Sequence, residues 1–210
     1  MESLTQEIYT SIIEGNADNT KTEVQAALNT GVAVSIILNE GMIAAISEVG
    51  RLFEIGEYYV PEMLVSAYAM QSGLTLLEPY LKEANVKATG KVIVGTVKGD
   101  LHDIGKNLVS MMLKGAGFEI IDLGTDVAPE KFVEAAREQG AQIVALSALL
   151  TTTMPAMKAT IEAFSAAGLR GQVKVMIGGA PITQSYATQI GADGYSSDAS
   201  QAIAIARSLI

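Results

Sequence analysis

The only histidine of the chain, His102, lies in a short polar segment that could do metal or acid–base chemistry. Asp100 precedes it by two residues, Asp103 follows it directly and Gly105 comes three residues later. A carboxylate at the spacing of Asp100 can accept a hydrogen bond from one ring nitrogen, which leaves the other nitrogen free as a ligand or base. Gly105 would allow close approach of another group. The alternative is that Asp100 or Asp103 caps a following helix and that His102 is merely exposed.

The composition limits what His102 could bind. The 210 residues contain no Cys and one His, which excludes disulfides, thiolate zinc sites, iron–sulfur clusters and cysteine nucleophiles. Zinc needs several protein ligands, and only carboxylates could join His102 in such a site. A single imidazole is sufficient where a macrocycle supplies the other ligands, as in haem or corrin. The sequence therefore favours a metallated macrocycle over a bare ion.

Two other segments carry polar or small residues directly after apolar runs. The segment 147–153 follows one run, and Gly178-Gly179 follows the next. In an open parallel sheet, ligands bind beyond the carboxyl ends of the strands, so we expect both segments to lie near that of His102. The alternative for Gly178-Gly179 is a tight turn. There is no Walker A motif and no G-x-G-x-x-G after a strand, which does not favour a dinucleotide enzyme.

The elements that would position these segments form two halves. Before residue 83 the apolar residues recur at three-and-four spacing, which predicts a bundle of four or five helices with breaks at Gly31 and Gly56. Pro61 and Glu62 are typical of a helix start. After the segment 83–91, five short β-branched runs alternate with helical stretches.

This alternation predicts an α/β fold with a doubly wound, parallel, five-stranded sheet in the flavodoxin-like order. We therefore expect a helical domain at 1–86 and a Rossmann-like domain at 87–210.

The charge and hydropathy of the chain exclude some partners and locations. The net charge is −9, with no basic run, so we expect neither nucleic acid nor an anionic membrane as a partner. The N-terminus has no basic and apolar signal pattern, and the uncharged windows 139–157 and 175–192 are interrupted by Pro or Gly. We expect a soluble cytoplasmic protein.

Three ordered motifs resemble those of the cobalamin-binding domain of corrinoid proteins. They are D-x-H-x-x-G at 100–105, S-x-L at 147–149 and G-G at 178–179. The stretches 95–109 and 192–199 also resemble this family. The segment 41–70 is similar to the helical cap of cobalamin-dependent methionine synthase and of small corrinoid methyl carriers. The resemblance covers nearly the whole chain and is greatest to the corrinoid subunits of methanol, methylamine and methoxyaryl methyltransferase systems.

The resemblance implies a cobamide cofactor and a role for each matching residue. His102 would bind cobalt in place of the cofactor's own lower base, Asp100 would hold the other ring nitrogen, and Thr153 would complete the relay with its hydroxyl. Phe53 and Val60 would shield the upper, methyl-bearing face, although both could be ordinary bundle core. The slot for the displaced nucleotide tail would be lined by Ser147, Leu149, Thr151, Gly178 and Gly179.

The resemblance also implies a function. A corrinoid protein of this kind carries a methyl group on cobalt between a substrate-specific methyltransferase and a second methyltransferase, whose acceptor is a thiol or tetrahydrofolate. A reductive activase would be a third partner, and the stretch 83–91 would be the hinge that lets the cap move. The chain itself would be a non-catalytic subunit. The alternatives are a cobalamin-binding sensor or regulator, or a subunit of an adenosylcobalamin mutase.

Overall fold

The computed structural model describes residues 2–210, with side chains from residue 4 onward. The chain divides into two compact units, one made of the residues up to Ala88 with Lys114–Gly117, the other of Thr89–Leu113 with Phe118–Ile210. Each unit has its own secondary structure and its own buried apolar residues.

The first unit is helical, as the spacing of apolar residues predicts. Its elements are α1 (Glu2–Ile13), α2 (Ala17–Asn29), the single turn α3 (Val34–Ile36), a π-helix (Ile37–Ile43), α4 (Ala44–Glu54) and α5 (Val60–Glu83). Ile8, Ile12 and Val24 are fully buried where α1, α2 and α5 pack together. The two predicted breaks are confirmed, because Gly31 and Gly56 follow the ends of α2 and α4 with φ of 78° and 76°.

The start of α5 is fixed by the residues that predict it. Pro61 occupies the first turn, where a missing N–H costs nothing. The carboxylate of Glu62 accepts a hydrogen bond of 2.9 Å from the backbone N–H of Tyr59, which satisfies a group that the helix leaves unpaired.

The sequence does not predict the π-helix before α4. Its Gly41 packs against α1 so closely that an added Cβ would lie 3.3 Å from the Ile8 side chain. The wider turn of a π-helix interrupts the three-and-four spacing there, and such turns carry no sequence signature of their own.

The second unit is a parallel sheet with helices between its strands. The elements are β1 (Lys91–Thr96), α6 (Ile104–Gly115), β2 (Glu119–Asp122), α7 (Pro129–Gln139), β3 (Ile143–Ser147), α8 (Met154–Ala166), β4 (Lys174–Gly178), α9 (Gln184–Ile190), β5 (Gly194–Ser196) and α10 (Ala199–Ser208). All neighbouring strands are parallel, in the order β2-β1-β3-β4-β5. The predicted flavodoxin-like order is confirmed.

The apolar core of this unit lies between the sheet and its helices. Its largest members, Phe132 of α7 and Phe164 of α8, are fully buried against Val144 of β3 and its neighbours. Burying such rings gives the sheet its stability and fixes the positions of the strand ends. Among the described residues, no helix combines the length and apolar character needed to cross a membrane.

Candidate functional site

The register of the sheet brings the three motif segments together. Thr96 at the end of β1 is paired with Ser147 at the end of β3, and Ser147 is paired with Gly178 at the end of β4. The loops that follow these strands therefore leave the same edge of the sheet side by side, as expected for a ligand site at the carboxyl ends of parallel strands.

A tight turn after β1 places Asp100 at the centre of this edge. The Asp100 N–H donates to the carbonyl oxygen of Val97 over 3.1 Å. Gly99, the third residue of the turn, has φ of 86°, which glycine adopts without steric cost. The turn directs the side chain of Asp100 inward, where it is fully buried.

The carboxylate of Asp100 accepts hydrogen bonds from its own loop and from the loop after β3. Its Oδ1 lies 2.7 Å from Nδ1 of His102 and accepts the His102 backbone N–H over 3.1 Å. Its Oδ2 accepts the Thr153 hydroxyl over 2.7 Å and the backbone N–H groups of Leu149 and Leu150 over 2.8 and 3.2 Å. Asp100 therefore does not cap α6, and the alternative interpretation is wrong for this residue. Asp103 accepts the side-chain amide of Asn107 instead, over 3.1 Å.

These hydrogen bonds keep Asp100 ionised. Burial alone would raise the pKa of this carboxyl, but the bonds from the Thr153 hydroxyl, from His102 and from the Leu149 N–H outweigh it and hold the pKa far below its ordinary value. An ionised carboxylate only accepts hydrogen bonds, so Nδ1 of His102 carries the proton. In the neutral ring, the lone pair of Nε2 is then available to a metal.

The surroundings of His102 fit a flat, largely apolar ligand. The imidazole side chain is 50% exposed. Leu101 and Ile104, on either side of it in the chain, are 73% and 79% exposed, although both are large apolar side chains. An added Cβ on Gly105 would meet no protein atom within 4 Å. A corrin ring placed on His102 would cover these apolar side chains and use the space at Gly105.

Leu101 and Ile104 were not identified from the sequence. The sequence feature that could have identified them is the presence of two large apolar residues inside an otherwise polar loop. Among residues 4–210, no three His, Asp or Glu side chains lie close enough together to hold a metal ion.

Two acidic residues, one at the end of β2 and one in the loop that follows it, contact the His102 loop and α6. The carboxylate of Asp126 accepts the Gly99 N–H over 2.7 Å, and the Asp126 N–H donates to the carbonyl oxygen of Asp100 over 2.9 Å. Asp122 forms an ion pair with the buried side chain of Lys106 on α6. Sequence reasoning missed these contacts, because 27 residues separate Gly99 from Asp126 and neither residue belongs to a motif.

The residues predicted to line the tail slot lie on the loops after β3 and β4. Ser147 is half-buried, while Leu149 and Thr151 are exposed. Gly178 and Gly179 are half-buried, and an added Cβ on Gly179 would lie 1.9 Å from the carbonyl oxygen of Ala148. Packing between these two loops thus requires glycine at 179, in addition to any contact with a ligand.

The two residues predicted to shield the upper face belong to the helical unit. Phe53, near the end of α4, is half-buried, and Val60, the first residue of α5, is 44% exposed. Neither is fully buried within the bundle core, which was the alternative for both. Their shielding role stays a prediction.

Comparison with known proteins gives the same family for both halves of the chain. Residues 4–78 and residues 90–204 each match a B12 binding domain family. Over 210 residues the chain is 44% identical to dimethylamine corrinoid protein 1 of Methanosarcina acetivorans, covering all of this chain and 98% of the relative. It is 44% identical over 195 residues to trimethylamine corrinoid protein 2 of the same organism, covering 92% and 90%.

Solved structures agree with these relatives. The methanol:cobalamin methyltransferase complex of Methanosarcina barkeri contains a chain that matches with a TM-score of 0.87 and 29% identity, over 99% of this chain and 80% of that one. The predicted resemblance and the predicted cobamide cofactor are confirmed at the level of the family. This chain belongs to the B12-binding corrinoid proteins.

Proposed function

We propose that this protein carries a methyl group between a substrate-specific methyltransferase and a second methyltransferase. The observation that carries the proposal is the Asp100–His102 pair, which engages Nδ1 of the imidazole and leaves Nε2 available, in a segment that also exposes the apolar residues Leu101 and Ile104. The relatives that match over their full length support it, because they are corrinoid proteins of methylamine systems. Bound cobamide would supply a cobalt that accepts and donates the methyl group.

In this proposal Nε2 of His102 would hold the cobalt of a bound cobamide. Asp100 orients the ring through the 2.7 Å contact with Nδ1, and Thr153 fixes Asp100 through a second contact of 2.7 Å. The chain Thr153–Asp100–His102 would thus hold the ring in the orientation in which Nε2 faces the ligand.

The loops after β3 and β4 would hold the nucleotide tail of the cobamide. Leu149 and Thr151 are exposed and available for contact, and Ser147, Gly178 and Gly179 border the same sheet edge. Phe53 and Val60 would exclude water and oxidants from the upper face, and the segment 83–91 would act as the hinge. Gly105 would allow the corrin ring to approach α6.

We propose N-methylated amines as the source of the methyl group, since the relatives with 44% identity are named for dimethylamine and trimethylamine. The second methyltransferase, with a thiol or tetrahydrofolate acceptor, and a reductive activase complete the set of partners.

The test is a methyl-transfer assay with cobamide-loaded protein and separate methyltransferases for dimethylamine, trimethylamine, monomethylamine and methanol. We expect an absorbance change that shows methylation with at least one amine methyltransferase and its reversal by a second methyltransferase. Methylation by the methanol enzyme alone would contradict the amine assignment. Tight cobamide binding without methylation by any of them would favour the sensor interpretation, and binding of adenosylcobalamin in preference to methylcobalamin would favour the mutase.

A further inference from the structure

Thr96 is a buried polar residue in a strand whose other buried side chains are apolar. Val92, Ile93 and Val94 of β1 are buried side chains without hydrogen-bonding groups, whereas Thr96, at the end of the same strand, is buried with a hydroxyl. Burying a hydroxyl in place of a methyl group is unfavourable unless the hydroxyl finds a partner. The identity of that partner therefore indicates what the residue contributes.

The hydroxyl of Thr96 donates to the backbone carbonyl oxygen of His102 over 2.9 Å. His102 lies two residues before α6 begins, so its carbonyl takes no part in the helix. The hydrogen bond ties the backbone of the histidine to the end of β1, the strand whose register with β3 also positions the loop of Thr153.

This bond differs from the other contacts of His102. The ring nitrogen and the backbone N–H of His102 both depend on the single carboxylate of Asp100. The carbonyl contact involves neither Asp100 nor the imidazole, so it restrains the backbone of His102 independently of the contacts made by the carboxylate and the ring.

We propose that Thr96 is a positioning residue for axial ligation, which fixes the backbone of His102 at the distance from the sheet that lets Nε2 reach a bound cobalt. The proposal deepens the proposed function and rests on it. Without the hydroxyl, the loop gains freedom that the imidazole must give up each time it binds. One hydrogen bond changes an equilibrium constant by about threefold to tenfold. We therefore expect the equilibrium constant for His102 binding to cobalt to fall by about that factor.

The test compares Thr96→Val, which removes the hydroxyl while keeping the side-chain shape, with the wild-type protein, both loaded with cobamide. Since reduced Co(I) has no axial ligand, a threefold to tenfold loss of His102 binding to Co(II) raises the Co(II)/Co(I) potential by about 30 to 60 mV. Spectroelectrochemical titration measures this shift, and the Co(II) EPR spectrum gives the fraction of protein that keeps imidazole nitrogen coupling, which should not exceed that of the wild-type protein.

Two variants serve as controls. Thr96→Ser keeps the hydroxyl, so we expect it to keep the wild-type potential. Thr160→Val removes an equally buried hydroxyl in the same unit, one that donates to the carbonyl oxygen of Ala156 within α8, and it should leave the potential unchanged.

The outcomes separate the two proposals. If wild-type protein shows imidazole nitrogen coupling and Thr96→Val keeps the wild-type potential, the role of Thr96 is wrong and the proposed function stands. If Thr160→Val or Thr96→Ser shifts the potential as much as Thr96→Val, the effect comes from general destabilisation and the role is again wrong. If wild-type protein shows no such coupling, ligation by His102 fails and the role of Thr96 with it.

Discussion

The loop after β1 and the loop after β4 both carry motif glycines, but the protein uses these glycines differently. At Gly179 an added Cβ would overlap the carbonyl oxygen of Ala148, and the φ of 136° is strained for other residues. At Gly105 an added Cβ would meet open space. The fold therefore accounts for glycine at 179, whereas packing within the described protein does not require glycine at 105.

The same contrast separates Asp100 from His102. Asp100 is fully buried, and the hydrogen bonds it accepts all come from protein groups. His102 is half exposed and uses one ring nitrogen within the protein. A buried residue whose polar atoms are all hydrogen-bonded within the protein, such as Asp100, supports the structure. An exposed residue at the same edge with a ring nitrogen still available, such as His102, indicates where a ligand binds.

The largest expected effect is on the stability of Gly179→Ala. A methyl group 1.9 Å from a backbone oxygen forces the β3 and β4 loops apart, so we expect the free energy of unfolding to fall by about 3 kcal/mol or more. Urea denaturation of the cofactor-free protein measures it. The matched control is Gly191→Ala, where φ is 76° and the space is open, so only the backbone cost of about 1 kcal/mol is expected. Equal losses for the two variants would contradict the packing explanation.

The Thr153→Val variant tests whether the hydrogen bond from Thr153 to Asp100 stabilises the folded protein. The Thr153 hydroxyl lies 2.7 Å from Oδ2 of Asp100, closer than the 2.9 Å to its other acceptor, the carbonyl oxygen of Leu150, so its removal leaves a buried charge with one donor fewer. We expect a loss of about 1.5 to 3 kcal/mol in the free energy of unfolding. Thr153→Ser keeps the donor and should recover most of it. A Thr153→Val protein as stable as wild type would show that the other donors are sufficient.

Gly105→Ala should affect the ligand rather than the protein. The cofactor-free protein should be as stable as wild type or slightly more so, because alanine is the better helix former. A methyl group in the space for the corrin ring should weaken cobamide binding by about 1 to 3 kcal/mol. Absorbance titration with a cobamide measures the affinity. Wild-type affinity in this variant would mean that the ring does not approach α6 at this point.

The smallest expected effect is a change in stability on replacing Asp198, whose carboxylate is hydrogen-bonded within the protein. Burial would raise the pKa of this carboxyl, but hydrogen bonds from the Gln201 N–H and from the Ser200 and Ser197 hydroxyls hold it below its ordinary value. The contribution of the Asp198 carboxylate to the free energy of unfolding is therefore fully present above the ordinary pKa of Asp. It is lost as the pH falls through the lowered pKa of Asp198 in the folded protein.

We expect Asp198→Ala to cost about 1 kcal/mol at neutral pH, with a smaller difference from wild type in acid. Denaturation curves at several pH values measure this difference. A loss that is independent of pH would contradict the role of the charge.

The sheet could be predicted because it depends on local patterns. Each of the β-branched runs is short, lies between helical stretches and ends in polar or small residues, so the strands and their order follow from the sequence. The contact of Asp100 with His102 was also predictable, since only two residues separate them.

Other features depend on geometry that no local pattern specifies. The hydrogen bond from the Gly99 N–H to the Asp126 carboxylate depends on the path of the loop after β2, and the overlap at Gly179 depends on the packing of two loops. In the sequence, Thr96 cannot be distinguished from the other β-branched residues of its strand. Only the structure shows that its hydroxyl bonds to the carbonyl oxygen of His102. The exposure of Leu101 and Ile104 became meaningful only once the loop was in place.

The central claim is that Nε2 of His102 binds the cobalt of a cobamide, and isotope labelling tests it most directly. Because the chain contains a single histidine, untagged protein grown with ¹⁵N-histidine carries label in one imidazole only. After loading with unlabelled cobamide and reduction to Co(II), the axial nitrogen splitting in the EPR spectrum should change from a triplet to a doublet. A triplet that persists would assign the nitrogen to the cofactor's own base and contradict ligation by His102.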